Sequence, residues 1–465
     1  MRWISLVLLI LLLYVPSVSE AQTTISDRRI EEKKRLSADA APSHTLLRAP
    51  PFWIQAGGWA NYRLISYRNL DKDSHTKDYY SFYRALDLRP WAQLVYQTSL
   101  MQQEGRVHYF YTRLKVAYVE QGGTAPGLKY DVNGPLFDYA YGSFDLHPWK
   151  IEAGRKYFSV GRGIAYGAVN DGASLSYALR DFQIGLEAAR SLPHHPNIDT
   201  SVPGYDKASR RYFYGPTLSF TGFSDQYLYA YWLSERDHSR EKPDDPDLDH
   251  RYNARYAGLG AHGDVTEHWS YWAEGIRENG HSYSSVTSEA SAIAAWGFDG
   301  GAEYDTQSRL RFKGSSEYGF GSGDGERRSV TDTVGGNISG RDRGFLYFGY
   351  LPTGVAFSPM LANLHMARIG FSCYPFISSA RFKGIELSAD YFRYWKDQRT
   401  GGIDDTEATG TGRDVGHETD VRLDWHVSAR VAWTFEAGVF TPGKAYTSPA
   451  DDPETVLNAG VTIVF

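Results

Sequence analysis

The sequence predicts an all-β protein, a single transmembrane antiparallel β-barrel of about 18 strands with short periplasmic turns and long extracellular loops. Segments of about ten residues alternate apolar and polar side chains, which predicts strands because successive side chains of a strand point to opposite faces. The links between these segments alternate between short and long along the chain. A soluble sandwich or propeller does not need that asymmetry, so the pattern favours a membrane barrel.

The composition of the 465-residue chain excludes several other classes of protein. Its one long apolar run, Ile4–Val15, is about half the roughly 20 residues that span a bilayer as a helix. Hydrophobic residues make up 42% and aromatic residues 15% of the chain, too much apolar surface for a disordered protein. The net charge of -6 argues against nucleic-acid binding, and the single cysteine, Cys373, excludes disulfide frameworks and Cys-rich metal sites.

The first residues predict export from the cytoplasm. Arg2 provides a basic start, Ile4–Val15 an apolar core and Ser19-Glu20-Ala21 a cleavage site, so residues 1–21 are a predicted signal peptide. A buried N-terminal helix is the alternative. Residues 22–50 are polar and highly charged, which predicts a flexible periplasmic segment, and the barrel is expected over residues 51–465. The predicted location is the cell outer membrane.

The predicted strands follow the alternation and the turn residues between segments. Short links, such as Arg180-Asp181, are followed by long ones, such as 191–210 and 320–360. The strands are expected at 52–67, 81–100, 106–121, 136–146, 149–158, 172–179, 182–190, 211–221, 226–236, 251–262, 268–279, 290–304, 309–319, 361–374, 381–395, 417–425, 430–440 and 455–465.

The last segment tests the membrane assignment, because its two faces can be read directly. One face is an apolar row that would contact lipid, and the other carries Asn458 and Thr462. A chain that ends on a strand with Phe465 resembles the outer-membrane insertion signal, which makes the barrel-assembly machinery an expected partner. The apolar row consists of Leu457, Ala459, Val461, Ile463 and Phe465.

Alternation also predicts which charged residues point into the barrel. An arginine or lysine that faces lipid at the membrane midplane costs roughly 2–4 kcal/mol, so charged faces are expected to line the lumen. In segments 106–121 and 226–236 either face could be apolar. The predicted lumenal residues are Lys150, Glu152, Lys156, Glu187, Arg211, Arg309, Arg311, Lys313, Glu317, Arg368, Glu386, Asp390, Glu418, Asp420, Arg422, Asp424, Arg430 and Glu436.

A lumen lined with both signs of charge suits a transport path. Arginine can hold a passing carboxylate by paired hydrogen bonds, and neighbouring Asp or Glu would compete and keep binding weak. We expect a weak to moderate anion preference, carried mainly by Arg368 with Arg309, Arg311 and Lys313. The alternative is that these charges form ion pairs that only stiffen the wall.

Two groups of motifs resemble the alginate export family. Ala153-Gly154-Arg155-Lys156-Tyr157-Phe158, Gly161-Arg162-Gly163 and Asn170-Asp171-Gly172-Ala173 form the first group. Phe348-Gly349-Tyr350-Leu351-Pro352, Asn363-Leu364 and Ala367-Arg368-Ile369-Gly370 form the second. The resemblance implies an eighteen-stranded outer-membrane porin that passes an anionic exopolysaccharide through an Arg-rich constriction, with Arg155, Arg162, Asp171 and Arg368 on the substrate path.

Two features of this chain qualify the resemblance. Strict alternation places Arg155 on the lipid side, so either a bulge at Gly154 turns it inward or Lys156 takes the lumenal role. The alginate exporters of the family also look to have a long periplasmic plug, whereas all predicted periplasmic turns here are short. The substrate could therefore be another anionic solute, and a general or small-substrate uptake porin is the alternative function.

Neither an enzyme nor a cofactor is expected. The histidines are scattered, and the Gly-rich run 319–325 lacks the Lys-Ser/Thr of a phosphate loop. One loop offers a weak calcium candidate, for which a solvated loop is the alternative. The expected partners are an anionic polysaccharide or other anionic solute, outer-membrane lipid and lipopolysaccharide, and periplasmic export proteins, with no nucleic acid. The calcium candidate consists of Asp244, Asp245, Asp247 and Asp249.

Overall fold

A computed structural model describes residues 44–78, 81–123, 129–192, 210–239, 251–283, 290–330 and 337–465. The predicted signal peptide and the calcium candidate Asp244–Asp249 lie outside these residues. No helix among them has the length and apolarity needed to cross a membrane.

Strands dominate the structure, and one short helix, α1 (Ser99–Gln103), follows the third strand. The strands are β1 His44–Ala49, β2 Phe52–Arg68, β3 Phe82–Tyr96, β4 His108–Gly122, β5 Lys129–Leu146, β6 Trp149–Ser159, β7 Gly167–Leu179, β8 Phe182–Arg190, β9 Arg211–Phe220, β10 Gln226–Asp237, β11 Asn253–Asp264, β12 Trp269–Tyr283, β13 Ala290–Asp305, β14 Lys313–Gly321, β15 Leu364–Cys373, β16 Ile385–Lys396, β17 Asp414–Ser428, β18 Val431–Pro442 and β19 Glu454–Val464.

Each strand from β2 to β19 pairs antiparallel with the next, and β19 pairs with β2, so these strands close into a barrel. Closure removes the unpaired strand edges, so that the backbone polar groups of each strand can pair with the neighbouring strands on both sides. The connections lie alternately at the two ends of the barrel. One end, the short-turn end, has mostly short turns, with 97–107 and 374–384 as its longest connections, and the other end, the long-loop end, has the longest loops, such as 191–210 and 322–363. The predicted fold class is confirmed.

The predicted segments correspond to the barrel strands, but several ends differ by four residues or more, among them those of β3, β5, β7, β14 and β16. β5 begins at Lys129, seven residues before the predicted start. β3 ends at Tyr96, because the Thr98 hydroxyl accepts a hydrogen bond from the Met101 N–H and starts α1. β14 begins only at Lys313, because residues 306–312 form a turn in which Arg311 has a positive φ of 49°. That expected strand start was wrong, and Arg309 and Arg311 lie in the turn.

The chain terminus closes the barrel seam. The Phe465 N–H donates to the Gly58 carbonyl (2.9 Å), and the Gly58 N–H donates to the Phe465 carbonyl (2.8 Å). The Phe465 ring lies over Gly58, where an added Cβ would be 2.7 Å from the ring carbons. Beyond this point β1 takes over as the partner of β2, so part of the segment predicted to be flexible is a strand.

The buried core lies inside the barrel at the long-loop end. Leu457 and Ile463 alternate outward on β19 and are about half exposed, as is typical of lipid-facing positions. In contrast, Tyr256 and Phe440 of the wall are fully buried, because two loops fold back into the barrel and cover them, and Phe345 of one of these loops is fully buried against the wall.

Candidate functional site: the charged lumen and its inward loops

Two loops at the long-loop end enter the lumen and contact each other. The short inner loop comprises residues 160–166 between β6 and β7, and the long inner loop comprises residues 322–363 between β14 and β15. The Phe348 N–H donates to the Ala165 carbonyl (3.0 Å), and the Tyr350 N–H donates to the Gly163 carbonyl (2.9 Å). The two loops therefore join as a small strand-like contact inside the barrel.

Glycines make this contact possible. A Cβ on Gly349 would lie 1.8 Å from the Gly163 carbonyl oxygen, so no larger residue fits without moving the backbone. Gly161 has a φ of 53°, and its Cβ would lie 2.6 Å from the Glu274 carboxylate. The motifs Gly161-Arg162-Gly163 and Phe348-Gly349-Tyr350, which are far apart in the sequence, thus pack against each other.

Buried carboxylates of the wall hold the inner loops by their backbone. Glu418, which is fully buried, accepts hydrogen bonds from the Ala356 N–H (2.6 Å) and the Phe357 N–H (3.0 Å). Glu278, also fully buried, accepts from the Leu346 N–H (3.0 Å). Such charge-assisted bonds are stronger than neutral ones, and a buried carboxylate needs them to offset its lost hydration.

The long inner loop also carries its own ion pair and an aromatic core. Arg327 donates to Asp342 (2.5 Å). Burial acts to lower the pKa of the Arg327 guanidinium, but the negative charges around it, Asp342 first among them, together outweigh burial, so the pKa is raised. The Phe357 ring stacks on Phe440 of the wall at 4.2 Å. The loop is therefore packed against the wall at the long-loop end and narrows the lumen there.

Arg162 connects the short inner loop to the wall. Its backbone N–H donates to Glu274 (2.6 Å), and its Nε donates to Asp299 (2.8 Å). The guanidinium carbon lies 5.1 Å from the centre of the Trp272 ring, and 30% of the side chain is exposed. A charged group is thus held at the narrow part of the lumen.

Below the inner loops, lumenal cations pair with carboxylates. Arg368 lies between Glu317 (3.0 Å) and Asp390 (2.8 Å). Arg422 lies between Asp424 and Glu436, with 2.6 Å to the latter. About a quarter of each side chain is exposed, so solute in the lumen can reach both guanidinium groups.

On β6 the lumenal position belongs to Lys156, whose ammonium donates to Glu152 (2.6 Å) and to Ser174 (2.7 Å). Lys150 pairs with the other oxygen of Glu152 (2.8 Å). Lys313 on β14 pairs with Glu303 (2.8 Å).

Four residues expected on the substrate path lie elsewhere. The register of β6 with both neighbours is continuous, so alternation keeps Arg155 on the outer face, where it pairs with Asp171 of β7 (2.7 Å). Placing these two residues in the lumen was wrong, because Gly154 introduces no register shift. Arg309 and Arg311 are at the short-turn rim, where Arg309 donates to the Ser378 hydroxyl (2.8 Å).

Sequence reasoning missed a basic group on β3 and β4. Arg89 and Arg113 both donate to Asp138, at 2.9 and 2.7 Å. Asp138 is the extra residue where the β4–β5 register shifts, so strict alternation does not place it. Lys115 shares the lumenal face with Arg113 and forms no ion pair with any residue in the described part of the chain.

One group of side chains in the described ranges has the spacing of a metal site: Asp73, His75 and Asp452. The two carboxylates already accept hydrogen bonds from backbone N–H groups, Asp73 from His75 (2.9 Å) and Asp452 from Ser74 (3.0 Å). These bonds account for the cluster as loop structure.

The family can now be assigned. A model of the family described as alginate export matches residues 171–459. The chain belongs to the alginate export family. The matched residues include the Phe348-Gly349-Tyr350 motif. The Gly161-Arg162-Gly163 motif lies before the first matched residue. With its closed barrel, this alginate export family member is an outer-membrane channel, a porin in fold and family.

Solved structures show the same fold. Pseudomonas aeruginosa OccK11 (OpdR) has a TM-score of 0.53 and 13% identity over 89% of this chain and 96% of that chain. P. aeruginosa OccK5 (OpdH) has a TM-score of 0.52 and 9% identity over 89% and 98%. Acinetobacter baumannii OccAB2 has a TM-score of 0.53 and 11% identity over 88% and 98%. At these identities the likeness concerns the fold alone. The comparison with curated proteins gives no match.

Proposed function

We propose that this porin passes anionic solutes, and that an anionic polysaccharide strand of the alginate class is the first candidate. The observation that carries the proposal is the uneven distribution of lumenal charge. Among the described side chains on the lumenal face of β2–β6, cations outnumber carboxylates. The cations are Arg63, Arg89, Arg113, Lys115, Lys150 and Lys156, and the carboxylates are Asp87, Asp138, Asp145 and Glu152.

The lumenal face of β14–β18 has the opposite balance. It carries fewer cations than carboxylates. This remains true when the two carboxylates that bind the long inner loop are left out of the comparison. The cations are Lys313, Arg368, Lys396 and Arg422, and the carboxylates are Glu317, Glu386, Asp390, Glu418, Asp420, Asp424 and Glu436.

This separation gives an anion a preferred side of the lumen. An ion responds mainly to charges within a Debye length of about 8 Å, so it meets the β2–β6 strip as a basic surface. Anion binding to this strip is weak, because Asp138 and Glu152 compete with the solute for the same cations. Weak binding allows release, which conduction requires. The expected anion preference therefore rests on β2–β6 more than on Arg368.

The packed inner loops favour a second candidate, a small carboxylate-bearing solute. Phe348 and Tyr166, both in the inner loops, pack against Phe213 of the wall and reduce the space through which a polymer could pass. Current block by uronate oligomers but not by the monomer would support the polymer, and equal block by both would support the small solute.

Reversal potentials in planar bilayers under a salt gradient test the charge argument. Wild-type protein should prefer anions, and Lys115→Glu with Lys150→Glu should shift the reversal potential toward cations, more so at low salt, where screening is weak. Arg68→Glu, which makes the same charge change as each of these two substitutions but on the outward face of β2, is the control. Arg368→Glu should shift it less, because Glu317 and Asp390 already dominate there. Cation selectivity of the wild type would overturn the proposal.

A further inference from the structure

The outer wall of β8–β12 carries four arginines toward the long-loop end: Arg190, Arg236, Arg255 and Arg277. Their outward direction follows from their neighbours in sequence. Arg255 lies between Ala254 and Tyr256, and both of these are fully buried inside the barrel. Arg277 lies between the fully buried Ile276 and Glu278 in the same way.

The remaining two arginines follow the same alternation. Arg236 lies between Glu235 and Asp237, which both point inward to bind Arg211 (2.9 and 2.7 Å). Arg190 follows the buried Ala189. We call these four arginines the arginine belt.

Strand register brings the belt together. Tyr212 of β9 pairs with Arg190 on one side and with Arg236 on the other. Neighbouring strands are about 4.8 Å apart, so the backbones of these two arginines are about 10 Å apart. Arg255 is opposite Ser234, one outward position below Arg236, and Arg277 is opposite Ala257, one outward position below Arg255. The belt therefore crosses five neighbouring strands close to the end of the barrel.

Three outward arginines on other strands have a carboxylate partner, whereas Arg68 at the end of β2 is a single outward cation without one among the described residues. Arg84 pairs with Glu120, Arg393 with Asp414 (2.8 Å) and Arg155 with Asp171 (2.7 Å). In these pairs the carboxylate neutralises the charge of the arginine at the outer surface of the barrel.

The belt differs, because none of its four arginines forms an ion pair with a residue that the structure describes. Arg277 instead lies 4.4 Å from the centre of the Trp296 ring, and Arg190 lies 5.8 Å from that of Tyr212. Contact with an aromatic ring orients a guanidinium but does not neutralise it. The belt is therefore a set of cations on a lipid-facing wall, of which Arg190 and Arg277 are oriented by an aromatic ring.

An apolar surface continues below the belt on the same strands and beside it on β13. Its side chains are between about two fifths and two thirds exposed, which is typical of contact with acyl chains. They are Leu186, Tyr214, Trp232, Leu259 and Trp296. Cations above an apolar wall are complementary to a lipid with an anionic head group.

We propose that the arginine belt binds the phosphate groups of lipopolysaccharide, and that the apolar wall below it binds the acyl chains. The outer leaflet of the outer membrane consists of this phosphorylated glycolipid, and the belt is at the long-loop end, which faces outward in a porin. Guanidinium groups bind phosphate by paired hydrogen bonds. This proposed lipid site depends on the outer-membrane location of the barrel and is independent of the solute that the lumen passes.

Binding of deep-rough lipopolysaccharide to the purified, delipidated protein in a neutral detergent tests the proposal, with native mass spectrometry as the readout. The wild type should bind it, and lipopolysaccharide treated with phosphatase should bind at least roughly tenfold more weakly, since it lacks the charged acceptors for the guanidinium hydrogen bonds. Equal binding of both lipids would overturn the proposal.

The triple variant Arg236→Ala/Arg255→Ala/Arg277→Ala should lose roughly tenfold or more of the affinity for intact lipopolysaccharide. The matched control is Arg84→Ala/Arg393→Ala, which removes two outward arginines that already have carboxylate partners and should leave binding unchanged. Heat modifiability on gels checks that each variant folds. If the triple variant does not fold, Arg255→Gln alone replaces it, and a smaller loss of lipopolysaccharide affinity is expected.

Two outcomes of the variant experiment would overturn the proposal. One is wild-type affinity in the folded belt variants. The other is a change of oligomeric state in lipopolysaccharide-free detergent with unchanged lipid binding, which would make the belt an interface between protein chains.

Discussion

The two ends of the lumen use the same residue type in different ways. Toward the long-loop end, Glu278 and Glu418 are fully buried and accept hydrogen bonds from the backbone of the long inner loop. Toward the short-turn end, Asp390 and Glu436 remain partly exposed and accept from arginine side chains. Carboxylates that bind a loop backbone hold the long inner loop against the wall, and carboxylates that bind arginine belong to the charged surface of the proposed solute path. Carboxylate side chains of the lumenal face thus fix a loop at one end and pair with side-chain cations at the other.

The largest effect is expected from removing a carboxylate that holds the long inner loop. Glu418→Ala leaves the Ala356 and Phe357 N–H groups without an acceptor, at roughly 1–3 kcal/mol for each buried group. The loop should leave the wall, and single-channel conductance should rise severalfold. Glu418→Gln, which keeps an accepting oxygen, should have a smaller effect. Unchanged conductance in Glu418→Ala would show that the loop does not limit the current.

A moderate effect is expected where the two inner loops meet. Gly349→Ala places a Cβ against the Gly163 carbonyl, so the loops must separate and their hydrogen bonds should break intermittently. Single-channel recordings should show more frequent transitions between conductance levels at unchanged selectivity. Gly275→Ala is the control, because a Cβ there meets no atom within 4 Å. A transition frequency in Gly349→Ala equal to that of the wild type would contradict the expectation that this contact holds the loops together.

The smallest effect concerns pH at the base of the long inner loop. Asp397 accepts from the Gly323 N–H (2.9 Å). Burial acts to raise the pKa of Asp397, but the nearby His365 ring and the hydrogen bonds from the Gly323 N–H and the Gln398 side chain together outweigh burial and lower the pKa. A carboxyl with a lowered pKa stabilises the fold above its unfolded pKa of about 3.9 and loses that contribution as pH falls through its folded pKa.

Conductance measured from pH 6 to pH 3 should therefore stay constant until the pH falls below about 4 and then change as the loop loosens. Asp397→Asn should remove most of this acid dependence. A transition near pH 6 instead would point to a histidine and not to Asp397.

Part of the lumen follows from alternation alone. Lys156, Arg368 and Arg422 point inward as expected, because a strand with one lipid-facing side fixes the direction of every second residue. The same rule fails where the strand ends or bulges. Arg309 and Arg311 lie in a turn, and Asp138 occupies a register shift, so neither position has a strand period to follow.

The sequence by itself determined the barrel, the approximate strands, the two kinds of connection and the family, because alternation and short motifs are local features of the chain. Only the tertiary structure decided which group each charged residue meets. Glu418 binds a loop backbone and Asp390 binds Arg368, although both are acidic residues on lumenal faces of neighbouring strands. Gly349 meets Gly163 across the barrel. Such partners depend on how the loops fold back into the closed lumen. The alternation of residues along the sequence does not contain this information.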